Sequence, residues 1–166
     1  MKIFKRIVAV TAAVLSLCSF SGHAETLKTP EIKAKSAILI NADTGRILYE
    51  KNSHEKLYPA SMTKMLTAMV VLDNMEADET IKVDYSINEV PLESSKAGIA
   101  VGEIITVENV VRGLIIPSGN DIANAAASAV AKKALGDDIS YEEAEKYFVG
   151  LMNTKASELG CKESNF

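Results

Sequence analysis

One run of residues limits what this chain can fold into more than any other. From Met62 to Leu72 it reads MTKMLTAMVVL, with Lys64 as its single charge. Met62, Met65, Leu66, Ala68, Met69, Val70, Val71 and Leu72 fall on every side of a helix over residues 61–74. A helix without a polar face is expected in the interior of a domain. Pro59 pushes Tyr58 away from helical angles, so the helix begins after it. Ser61 stands one turn before Lys64, and no acid occurs between Glu55 and Asp73.

Residues three apart are neighbours on a helix, so Ser61 and Lys64 can meet at its first turn. A serine hydroxyl becomes a nucleophile only when a base takes its proton. Lysine is that base only when neutral, and with an ordinary pKa of about 10.4 roughly one in a few thousand is neutral at pH 7. Burial among apolar neighbours disfavours the ammonium, and the helix N-terminus adds about 0.3–1 kcal/mol in the same direction. The run around Lys64 is thus a frame that discharges an amine. On the motif alone, a helix cap followed by a lysine that snorkels out of a core is the favoured reading. Ser53 to Lys56 has the same Ser-x-x-Lys spacing but lies in a charged loop, where the lysine stays protonated.

A second element is IIPSGNDIANA, where Ser118 and Asn120 stand at a break between two apolar helices. A hydroxyl there can pass a proton to a leaving group, and an amide can hold a substrate carbonyl and the lysine. A turn followed by an N-cap is the plain alternative, and Ser86 to Asn88 repeats the spacing. Other nucleophile systems fit less well. No Gly-x-Ser-x-Gly elbow occurs. A serine triad would have to use His54, which no local pattern supports. Cys161 reads as a small buried apolar residue, and the acids of YEEAEKY as a solvated helix face. No Cys, His and carboxylate cluster has metal-ligand spacing, so no metal or cofactor is expected.

Before the helix, AKSAILINADTGRILYEKN reads as two strands around a turn at Asp43-Thr44-Gly45. Residues 79–106 read as irregular or strand-like. TVENVVRGLII is a short helix with Thr106 as N-cap. A second helix is capped by Asn120 and ended by Gly136, and a third carries a Ser140/Glu143 capping box and ends at Gly160. The fold class is α/β, of the α+β kind: an edge hairpin with a helical subdomain. Two strands do not make a stable sheet alone, so the sheet is unfinished within these residues.

Residues 1–24 have a different character. Lys2, Lys5 and Arg6 precede an apolar stretch from Ile7 to Phe20, and Gly22 and Ala24 are small residues before Glu25. This is the pattern of a secretory signal peptide, too short for the roughly 20 residues of a membrane span. Leu17 is too bulky for a lipoprotein site at Cys18. Without those residues the chain has 15 basic and 22 acidic side chains. That balance excludes nucleic acid and simple docking on anionic lipid. Only Cys161 remains, so no internal disulfide forms.

Ser-x-x-Lys followed by Ser-x-Asn resembles the first two of three motifs in the penicillin-recognising serine enzymes. PASMTKMLTA and LIIPSGNDIANA are similar to those of the low-molecular-mass D-alanyl-D-alanine carboxypeptidases, as are the flanks NADTGRILYEKN, VGEIITVENVVRGL and FVGLMNTKASELGCKESNF. The resemblance covers essentially residues 25–166. It implies Ser61 as the acylated nucleophile, Lys64 as its proton acceptor, Ser118 as proton relay and Asn120 as the amide that orients substrate. It further implies a penicillin-recognising fold, an oxyanion hole that includes the Ser61 N–H, and release of the terminal D-alanine from peptidoglycan stem peptides through an acyl-serine. β-Lactam antibiotics would act as covalent inhibitors, and the location would be the periplasm or cell envelope.

The third motif of that family, Lys-Thr-Gly or Lys-Ser-Gly, does not occur in this sequence; Lys28-Thr29-Pro30 and Asp43-Thr44-Gly45 are the nearest strings. In the family it brings further strands, one oxyanion donor and a cationic wall. The expectation is therefore an N-terminal portion of such an enzyme with little or no turnover alone, any membrane contact lying in a missing C-terminal region. A class A β-lactamase or muropeptide endopeptidase of the same superfamily is the alternative, although Ser-Gly-Asn stands where such lactamases carry Ser-Asp-Asn. A non-catalytic peptidoglycan-binding module is another.

Overall fold

The computed structural model describes residues 31–166. The expected signal peptide over 1–24 and Lys28-Thr29-Pro30 lie outside the described residues. The chain divides into two units, Met1–Lys56 and Leu57–Phe166.

In the first unit, strands β1 (Ala37–Ile40) and β2 (Ile47–Lys51) pair antiparallel, with Ala37 opposite Lys51 and Leu39 opposite Tyr49. The turn forms at the expected residues. Asn41 Oδ1 accepts from the Thr44 N–H at 2.9 Å and from its hydroxyl at 2.7 Å. Gly45 takes a left-handed φ of 68°, which its missing Cβ allows. Ile38, Leu39, Ile40, Ile47 and Leu48 are all about half exposed. The hairpin pairs with no further strand among the described residues, as an unfinished sheet requires.

The second unit is built on helix α1 (Thr63–Asn74), entered through a single 3₁₀ turn over Ala60–Met62 that follows Pro59. The segment read as irregular contains a second two-stranded sheet. Strand β3 (Thr80–Lys82) pairs antiparallel with β4 (Ile104–Thr106), Ile81 facing Ile105. Between them lie a 3₁₀ turn over Tyr85–Glu89 and a long loop. Strands of three residues are too short for alternation to show in sequence. Helix α2 (Val107–Ile115) is capped by Thr106, whose hydroxyl accepts from the Asn109 N–H. Helix α3 (Asn120–Leu135) and helix α4 (Tyr141–Glu158) follow, the latter with the expected Ser140/Glu143 capping box.

Val70, Val71, Val83, Val107, Val110, Leu114 and Val130 are among the most deeply buried side chains of the core, each no more than 2% exposed. Phe148 and Met152 close it from α4. Each such side chain contributes roughly 1.5–3 kcal/mol when fully buried. The all-round burial expected of α1 is not what the structure shows. Lys64, Thr67, Ala68, Val70 and Val71 face inward, while Met62, Met65, Met69 and Leu72 are 46–62% exposed. The apolar pattern is symmetric, but the core formed by the described residues of this unit covers one side of it. Cys161 is likewise exposed, not buried. Its N–H bonds back to Ala156 O at 2.8 Å around Gly160, whose φ is 82°. That left-handed helix end turns the chain outward at the surface. No helix among the described residues is long and apolar enough to cross a membrane.

Candidate active site

Ser61 occupies the 3₁₀ turn that leads into α1 and is exposed. Ala60, immediately before it, has a φ of 49°. A non-glycine residue in that region stores about 1 kcal/mol of strain. Lys64 is the second residue of α1 and only 8% exposed. Removal from water pushes its amine below the usual lysine range. Among the described residues no carboxylate pairs with it. Its Nζ donates to Asn120 Oδ1 at 2.9 Å. The direct bond to the Ser61 hydroxyl that the spacing allows is not formed in this structure.

The second element lies where α2 gives way to α3. Ser118 has a φ of 57°, and its hydroxyl is buried without a hydrogen-bond partner among the described residues. An unpaired buried hydroxyl costs about 1–3 kcal/mol, so this residue carries both backbone strain and an unmet polar group. Asn120 is the first residue of α3; Gly119 takes the cap position and no side chain caps the helix. The expected N-cap role of Asn120 is thus not the one observed, because its amide is held elsewhere. Oδ1 faces Lys64, and Nδ2 donates to Ser95 O at 3.2 Å.

Ser95 was not among the residues singled out from sequence. Its hydroxyl donates to Ser118 O at 2.7 Å, and its carbonyl accepts the Asn120 N–H at 2.8 Å. Asp121 was also missed. It is 3% exposed and accepts from the N–H groups of Ala97 (2.7 Å), Gly98 (2.8 Å), Ile99 (3.4 Å) and Ile122 (2.9 Å). Burial raises its pKa, but these four donors more than offset that and hold the carboxyl below the usual range. The one sequence signal was an acid in the first turn of an apolar helix, which normally reads as a solvated dipole partner.

Lys64 and Asn120 therefore meet, Ser118 stands two residues from Asn120 and shares Ser95 with it, and Ser61 lies one turn before Lys64. The repeated strings do not join them. Ser86 is buried in the 3₁₀ turn after β3, and Ser53 bonds Glu50. No group of three potential metal ligands occurs among the described residues. An amine whose pKa is lowered by burial, a buried hydroxyl in a strained turn and a fixed amide together suit proton transfer at a serine nucleophile.

Comparison with known proteins gives the same direction. Residues 23–166 match the model of the peptidase S11 family, described as D-alanyl-D-alanine carboxypeptidase. The chain is 36% identical to D-alanyl-D-alanine carboxypeptidase DacF of Bacillus subtilis, over 98% of this chain and 41% of that protein. It is 35% identical to the D-alanyl-D-alanine carboxypeptidase of Streptomyces sp. strain K15, over 96% of this chain and 55% of that one. The crystal structure of the Streptomyces K15 DD-transpeptidase superposes with a TM-score of 0.71 at 33% identity, over 84% of this chain and 53% of that one. The chain spans about half the length of these relatives, or less.

Proposed function

The chain belongs to the D-alanyl-D-alanine carboxypeptidase family of serine peptidases, and on that premise we propose that Ser61, Lys64, Ser118 and Asn120 are the reacting site of a serine carboxypeptidase. The observation that carries the reading is the 2.9 Å bond from the buried Lys64 Nζ to Asn120 Oδ1. It joins the two motifs and leaves the rest of the amine free for Ser61.

The substrate is a peptidoglycan stem peptide ending in D-Ala-D-Ala. Ser61 Oγ attacks the carbonyl carbon of the penultimate D-alanine while its proton passes to neutral Lys64. Asn120 Oδ1 accepts from Nζ before and after the transfer, so the amine keeps its place as it becomes charged. The Ser61 N–H is one donor to the developing oxyanion. The Ser118 hydroxyl, unpaired within the fold, relays the proton from Lys64 to the departing D-alanine nitrogen, and the C–N bond breaks. Water then attacks the acyl-serine, Lys64 accepting its proton and passing it to Ser61 Oγ as the Oγ–C bond breaks, and the peptide leaves one residue shorter. β-Lactams enter the first half of this sequence and stay bound to Ser61. Cleavage after Ala24 would place the protein in the cell envelope.

Labelling with a fluorescent penicillin tests the reading. The expected result is a covalent label on the wild type that Ser61→Ala abolishes. Saturable muropeptide binding with no label at all would favour the non-catalytic module instead.

A further inference from the structure

The residue after the second motif has no part in the chemistry just described, yet it is the most completely satisfied buried charge of the unit. Asp121 Oδ1 accepts from the N–H groups of Ala97 and Ile122, and Oδ2 from those of Gly98 and Ile99. Three successive backbone donors converge on one carboxylate because Gly98 has a φ of 83°, forming an anion-binding concavity of the kind successive N–H groups make. The stretch from Ser95 to Ala100 has no regular secondary structure. The carboxylate supplies the order that a strand or helix would otherwise give.

Two residues before that concavity stands Ser95, which holds the second motif by four contacts: its hydroxyl donates to Ser118 O and accepts from Asn120 Nδ2, and its carbonyl accepts from both Asn120 N and Nδ2. With Nδ2 taken by Ser95, Oδ1 is the end of the amide turned to Lys64. The loop lies so close that a Cβ on Gly119 would sit 2.7 Å from Ala97 N and 2.8 Å from Asp121 Oδ1. The same approach explains why glycine separates Ser118 and Asn120 here, where an aspartate would not fit.

We propose that Asp121 is a positioning residue: by clamping the Ala97–Ile99 backbone it fixes Ser95, and through Ser95 the orientation of the Asn120 amide toward Lys64. The proposal rests on the assignment of Asn120 and Lys64 to the reacting site, but its test does not require turnover. Asp121→Asn replaces an acceptor oxygen with an NH₂ group that faces N–H donors, so the loop is released. Gly98→Ala leaves the carboxylate in place and distorts only the concavity, and it serves if the first variant does not fold. Asp84→Asn is the control, since Asp84 is a partly buried, ion-paired carboxylate that binds Ser128 and Lys132 along α3.

The readout is hydrogen exchange of the Asn120 side-chain NH₂, followed by NMR in the full chain, beside the rate of Ser61 labelling by a fluorescent penicillin. The expected result is at least tenfold faster exchange in Asp121→Asn and Gly98→Ala, with labelling slowed by a similar factor, and neither change in Asp84→Asn. Unchanged Asn120 exchange in a folded Asp121→Asn or Gly98→Ala overturns the proposal. Equal loss in Asp84→Asn overturns it too, because general loosening then accounts for the effect. Absence of labelling in the wild type would count against the functional reading alone, and the exchange data would still decide the clamp.

Discussion

Lys64 Nζ and Asn120 Oδ1 lie 2.9 Å apart although 56 positions separate them in sequence. One residue lies in the first turn of α1 and the other opens α3, so the contact ties two helix N-termini together. Both ends carry partial positive charge from unpaired N–H groups. A lysine between them loses water and gains no anion, and the neutral amide is the partner that tolerates either protonation state.

Lys64→Met tests the energetic side of that contact. The folded pKa of Lys64 is lowered by burial, so between it and the unfolded value of about 10.4 the unfolded chain binds more protons. Stability of the wild type therefore rises with pH through that window, and the burial penalty is fully present below it. Lys64→Met is expected to be more stable at pH 7 by on the order of 1 kcal/mol. That advantage shrinks as pH approaches 10, measured by urea unfolding across pH.

Ser118→Gly separates stability from function. Glycine removes the strain of a φ of 57° and the unpaired buried hydroxyl together. Its urea midpoint should correspond to a gain of about 1–2 kcal/mol. Penicillin labelling should fall by roughly 10²-fold, the worth of a positioned proton carrier.

Gly119→Ala should lose about 1–3 kcal/mol. The backbone there, at φ −62°, suits any residue, so the loss is one of space between Ala97 and Asp121. Thermal unfolding of the variant reads it directly.

Asp84 sets the acid limit. Burial raises its pKa, but hydrogen bonds from Lys132, Ser128 and Ser86 win and hold it far below the usual carboxylate range. Its contribution is present above the unfolded pKa of about 3.9 and disappears as pH falls through the folded one. Asp84→Asn should cost about 2 kcal/mol at neutral pH, and the gap from wild type should begin to narrow below about pH 4. Unfolding followed by circular dichroism from pH 7 to pH 2 measures it.

Local chemistry made much of this fold legible. Thr106, Ser140 with Glu143, Gly136, Gly160 and the Asp43-Thr44-Gly45 turn act through neighbours a few positions away, and each marks the boundary the residues announce. What was not legible depends on distant partners. The inward face of α1 could not be chosen from a pattern apolar on all sides. Pairing of β3 with β4 spans a loop of more than twenty residues, and Cys161 is exposed because Gly160 turns the chain away. The site divides in the same way. Ser61, Lys64, Ser118 and Asn120 stand out by residue type and spacing. Ser95 and Asp121 do not, since a serine in a loop and an acid in a first helical turn look ordinary until the loop is seen lying across them.

Titration of the Lys64 amine, followed by the ¹³Cε shift in the full chain and assigned with Lys64→Met, tests the central claim most directly. The account predicts a midpoint clearly below the ordinary lysine value of about 10.4, which raises the share of neutral base one turn from Ser61. A midpoint at or above that value would leave the amine charged at neutral pH and contradict its role as the proton acceptor.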